Sequence, residues 1–143
     1  MITQSDLKGI DASWLAVDAV GHVALFITAG EGPVPRSALQ STETAEEAVL
    51  ELPRTSDFHL YANVPRPDDF VAPAVRGVFV YDWSDVHRTL RAELGGYELQ
   101  AKPTRPLLLT QLPPSIQAIA AKTLLLGVEF GQHLVVLTEE PGT

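Results

Sequence analysis

Hydrophobic and polar residues alternate most regularly over residues 14–35, where WLAVDAVGHVALFITAGEGPVP reads as two short strands joined by a tight turn. Leu15 and Val17 alternate with Trp14, Ala16 and Asp18, and Val23, Leu25 and Ile27 alternate with His22, Ala24, Phe26 and Thr28. Both faces carry apolar side chains, so the pattern predicts a hairpin buried on both sides. Asp18-Ala19-Val20-Gly21 is the expected turn, with Gly21 supplying the positive φ that a tight hairpin needs. Two glycines and two prolines among residues 30–35 then force an irregular loop.

Further along, GVFVYDW at residues 77–83 predicts a second strong strand, with Val78, Val80 and Asp82 on one face and Phe79, Tyr81 and Trp83 on the other. Ala45, Ala48, Val49 and Leu52 fall at i, i+3, i+4 and i+7 and predict a half-buried helix over residues 44–52, with Glu43, Glu46, Glu47 and Glu51 mostly on its outer side. Thr44 and Glu47 have the spacing of a capping box, and Pro53 stops the helix. Residues 1–13 read as a turn or helical lead-in, and residues 36–40 as the start of a short helix.

Strands are expected over residues 58–64, with Phe58 and Leu60 on one face, and over residues 97–102, half-buried, with Glu98, Gln100 and Lys102 outward. Three prolines make residues 65–75 a loop. Ser84 caps an expected helix over residues 85–94 that ends at Gly95. A brief strand at 107–110, a helix opened by Pro113 and Pro114, and a closing central strand pair at 124–130 and 134–138 complete the pattern. The fold class expected is α+β: one domain over residues 1–143, a mostly antiparallel sheet of six to eight strands, and two or three short helices on one face.

Length and composition narrow the class of molecule. The 143 residues suit a single core, and 45% hydrophobic with 20% charged residues argues against disorder. The formal net charge of −8 repels phosphate backbones, so nucleic acid is not an expected partner. With no cysteine in the chain, disulfides, thiolate nucleophiles and cysteine-ligated metals are excluded. No apolar run reaches the length of a membrane span and no leader pattern opens the chain, so a cytoplasmic protein without membrane contact is expected.

Candidate chemistry is sparse. Asp82, Asp85 and His87, with Ser84, place two carboxylates, a hydroxyl and an imidazole near one strand end, which is the arrangement a divalent metal or a small catalytic cluster would need. Capping by Ser84 and Asp85 accounts for the same residues without chemistry. His22, His59 and His133 lack paired spacing, the residues 30–32 lack the lysine of a phosphate loop, and no nucleophile elbow is present. Arg88, Arg91, Lys102 and Arg105 read as a solvated face, and Trp14, Phe79, Tyr81 and Trp83 as core.

Three blocks, WLAVD with GHVALF and GEGPVP, GVFVYDW, and the Leu-Pro-Pro turn at 112–114, resemble those of small uncharacterised bacterial proteins, some of which resemble immunity proteins of polymorphic toxin systems. The resemblance implies a single-domain binding protein and transfers no catalytic residue. The expected function is therefore a non-enzymatic protein-binding module, concretely an acidic immunity-type inhibitor of a toxin with a basic surface. Its partner-binding residues would be Glu31, Glu43, Glu46, Glu47, Asp68 and Asp69, and it would use no cofactor and no metal. The alternative is a small-molecule- or metal-dependent enzyme built on Asp82, Asp85 and His87. Self-association through a sheet edge is a further expectation.

Overall fold

The computed structural model describes residues 1–62, 64–83, 96–133 and 135–136. Helix α1 (Gln4–Leu7) leads into the hairpin β1 (Ser13–Asp18) and β2 (Val23–Ile27), followed by a 3-10 turn (Arg36–Ser41) and α2 (Ala45–Leu50). Then come β3 (Phe58–Leu60), α3 (Asp68–Ala74), β4 (Phe79–Asp82), β5 (Tyr97–Pro103), a second 3-10 turn (Leu109–Gln111), α4 (Pro114–Ala120), β6 (Leu124–Leu125) and β7 (Val135–Val136). The fold is α+β.

The sheet runs β3-β5-β4-β2-β1-β6, with β7 beside β5. It is mixed: β1–β2, β4–β5, β3–β5 and β5–β7 are antiparallel, whereas β2–β4 and β1–β6 are parallel. The parallel pairs arise because β4 and β6 return beside the hairpin after a helical excursion instead of a tight turn. The hairpin lies inside the sheet, with β2 beside β4 and β1 beside the edge strand β6, in register from Ser13↔Ile27 to Val17↔Val23. Gly21 has φ +92°, and its amide donates to the Asp18 carbonyl as the turn requires.

Every residue of both hairpin strands is buried, since each face has its own cover. On one face Trp14, Phe26, Phe79, Tyr81, Tyr97 and Phe130 form an aromatic layer closed by Leu7 of α1 and by Ala38 and Leu39 of the first 3-10 turn. On the other, Leu15, Val17, Val23 and Leu25 pack against Ala45 and Val49 of α2 and Ile116 and Ala120 of α4. Ala74 of α3 extends this aliphatic layer over Ile27, Val80 and Ala101. Helical cover therefore lies on both faces, not one. Each fully buried aliphatic or aromatic side chain adds roughly 1.5–3 kcal/mol of transfer free energy.

Several local expectations change. Residues 65–75 contain α3 in spite of three prolines. Pro65 and Pro67 precede it, where amides have no intrahelical acceptor to lose, and Pro73 forgoes a single bond in the last turn. Thr44 does not cap α2, because its hydroxyl donates back to the Ser41 carbonyl. The capping box forms instead at α1, where the Thr3 side chain accepts from the Asp6 amide and the Asp6 carboxylate accepts from the Thr3 amide. Residues 109–111 are a 3-10 turn rather than strand. The closing strands do not pair with each other: β6 joins β1 at one end of the sheet and β7 joins β5. The expected helix at 85–94 lies outside the described residues.

Just past α3, Gly77 has φ +89°, and a Cβ there would meet Leu107 Cγ at 2.7 Å and the Arg105 carbonyl oxygen at 3.2 Å. Gly77→Ala combines left-handed strain with a clash against backbone and is expected to cost about 2–3 kcal/mol. Gly9→Ala carries the strain (φ +80°) without the clash, and Gly127→Ala meets nothing and has no positive φ. Urea unfolding of the three variants should rank them Gly77, Gly9, Gly127 in decreasing cost; equal costs at Gly77 and Gly127 would refute the account.

Candidate functional site

Helix α2 buries Ala45 and Val49, so its helical period turns Glu46, Glu47, Leu50 and Glu51 to solvent. With Glu43 these residues line a shallow depression of about 490 Å³. Four carboxylates surround Leu50, which is 41% exposed. Glu43 also belongs to a neighbouring depression of about 540 Å³, where Asp6 and Asp11 join it beside Ile10. Among the described residues no lysine or arginine lines either depression. The carboxylates thus repel one another, and a cationic surface docking there relieves that repulsion. The Thr3 amide, donating to the Asp6 carboxylate, holds that group below the usual carboxylate range.

Of the residues expected to meet a partner, the structure brings Glu43, Glu46 and Glu47 together. Asp68 and Asp69 are exposed in the first turn of α3, the helix beside α2 on the aliphatic side of the sheet. Glu31 lies apart from them, in a groove of about 320 Å³ that it shares with Lys8 of the α1 end. Asp6 and Asp11 were not expected in this role. They stand more than thirty residues before α2 in the chain, and no periodicity links them to it.

Asp82 is buried on the aliphatic side at the end of β4, directly opposite Glu98 of β5. Each carboxylate residue is 5% exposed, and both are engaged by partners. The Gln100 amide group donates to the Glu98 carbonyl at 3.1 Å. Two acids directly across a strand pair disfavour double ionisation unless positive charge or a shared proton offsets them. Glu98 and Gln100 were expected to face solvent; both are buried because this face of the sheet is also covered. Asp85 and His87 lie outside the described residues. Among the described residues no group of three His, Asp or Glu side chains is placed to hold a metal ion.

The remaining buried polar groups act as pins. The Tyr97 hydroxyl accepts from Trp14 Nε1 at 3.2 Å and donates to the Pro33 carbonyl at 2.8 Å. The Tyr81 hydroxyl accepts from the Gly131 amide at 3.1 Å and donates to the His133 carbonyl. Burial raises the pKa of both phenols well above the ordinary tyrosine value, so they stay neutral donors. The Asp18 carboxylate accepts from the amides of Val20, His22 and Phe130. Trp14, Phe79 and Tyr81 are core, as their spacing suggested.

Among the described residues no helix is long and apolar enough to cross a membrane. Comparison of the chain with family models, with curated proteins and with solved structures finds no match.

Proposed function

We propose that this protein is a non-enzymatic binding module that engages a basic protein surface through the acidic face of α2. One observation carries the reading: Glu43, Glu46, Glu47 and Glu51 surround the exposed Leu50 in a depression that, among the described residues, no cation lines. An apolar centre ringed by one sign of charge gives a partner both a contact to bury and a field to follow. Inhibition of a basic toxin, the role of immunity proteins, is the specific form that the sequence resemblance adds to this geometry. Asp68 and Asp69 add exposed negative charge on the neighbouring helix α3, whereas Glu31 belongs to a different surface.

Surface plasmon resonance against the product of the neighbouring gene tests the reading. The triple variant Glu43→Gln, Glu46→Gln, Glu47→Gln is expected to lower the association rate about tenfold at low salt, with a smaller change in dissociation. The wild-type association rate should itself fall as salt rises from 50 to 200 mM, by ordinary charge screening. Binding that ignores both the triple variant and salt would remove the acidic face from the interaction, and no binding at all would count against the partner class.

A further inference from the structure

Among the described residues β3 is the last strand on its side of the sheet. It pairs with β5 in the register Phe58↔Pro103, His59↔Lys102 and Leu60↔Ala101. The Thr104 amide donates to the Asp57 carbonyl and the Tyr61 amide to the Gln100 carbonyl, so residues 57 and 61 turn their backbone groups inward. By the alternation of an antiparallel ladder, Phe58 and Leu60 turn their N–H and C=O groups outward. All three residues of the strand are exposed.

The two faces of this edge differ in chemistry. Phe58 and Leu60, 36% and 38% exposed, lie on the aliphatic side opposite Pro103 and Ala101. His59 lies on the other side, directly across from Lys102, whose stem runs over Gly131. The Lys102 ammonium is thus the cation on this face of the edge, with the His59 imidazole beside it, and among the described residues neither has a carboxylate within ion-pair distance. A carboxylate placed there meets the Lys102 charge and can accept a hydrogen bond from the imidazole N–H. Asp68 and Asp69 belong to α3, which covers the opposite, aliphatic face.

We propose that the outer edge of β3 accepts an extended segment of another protein as an added antiparallel strand, and that this segment carries a carboxylate flanked by two apolar residues. Phe58 and Leu60 supply the outward backbone bonds and the apolar contact, and His59 with Lys102 receives the carboxylate. A second copy of this chain fits poorly. Two-fold pairing of β3 with itself sets His59 against His59 and brings a second Lys102, with no carboxylate, to the same face. The site is separate from the acidic face of α2 and does not depend on it.

Fluorescence polarisation with a labelled, end-capped peptide Thr-Val-Glu-Val-Thr tests the proposal on the full chain. Saturable binding is expected, with about tenfold loss on replacing the peptide Glu by Lys and a similar loss with Lys102→Glu. Methylating the peptide backbone nitrogens that face β3 should abolish binding, and that comparison leaves the protein's fold untouched. Leu60→Pro removes an outward N–H without touching the bonds to β5 and should also abolish it. The Glu43→Gln, Glu46→Gln, Glu47→Gln variant should bind this peptide unchanged. Equal affinity for the Glu and Lys peptides, indifference to N-methylation, or a β3-mediated dimer that Leu60→Pro dissociates in light scattering would each overturn the proposal.

Discussion

Trp14→Ala is expected to cost about 4–5 kcal/mol, the upper end of the range for deleting a buried aromatic side chain. The indole is fully buried, stacks on Phe26 at 4.2 Å with an interplanar angle of 11°, and meets the edge of Tyr97 at 5.5 Å. Truncation empties the middle of the aromatic layer, whose neighbours are fixed on paired strands and cannot collapse into the space. It also removes the N–H that Tyr97 accepts while that phenol holds the Pro33 carbonyl of the Gly/Pro loop. Since domains of this size are stable by only about 5–15 kcal/mol, the variant should sit near the limit of folding. Trp14→Phe keeps one stacked ring but loses the N–H and the volume of the second ring, so its cost should be about 2–3 kcal/mol. Urea unfolding followed by circular dichroism measures both; a Trp14→Ala cost below about 2 kcal/mol would mean that the layer repacks.

Much of this architecture was legible because the signals were local and strong. The hairpin, its Gly21 turn, the two-faced GVFVYDW strand and the buried stripe of α2 each follow from residues adjacent in sequence. The failures share a cause: they were decided by partners distant in sequence. Glu98 and Gln100 sit in an alternating strand that looks half-exposed, yet α-helical cover on both faces of the sheet buries them. The 124–130 stretch is rich in Leu and reads as central, but only Leu124 and Leu125 pair, and they do so at the sheet's end. In α3 the proline rule misled because it was applied by count instead of by position. For the candidate site the same division holds. Glu43, Glu46 and Glu47 were visible as one face of one helix, whereas Asp6 and Asp11 join them only through the packing of α1 beside the chain that precedes α2.

The second large effect belongs to Asp18, a residue that sequence alone places merely at a turn. Its Oδ1 accepts from the amides of Val20 at 3.1 Å and His22 at 2.8 Å, and its Oδ2 accepts from the amide of Phe130 at 2.7 Å. One buried carboxylate therefore closes the β1–β2 turn and also ties down a residue of the aromatic layer 112 positions away. Asp18→Ala leaves the buried Phe130 amide and the part-buried Val20 and His22 amides without this acceptor and is expected to cost about 3 kcal/mol. Asp18→Asn retains one accepting oxygen but turns an NH2 toward amide donors on the other side, so it should fall between, at about 2 kcal/mol. Hydrogen exchange separates this account from a simple turn effect. Loss of protection should reach the Phe130 amide as well as Val20 and His22; a variant that frees the turn amides alone, with Phe130 still protected, would show that the long-range tie is held by packing and not by the carboxylate.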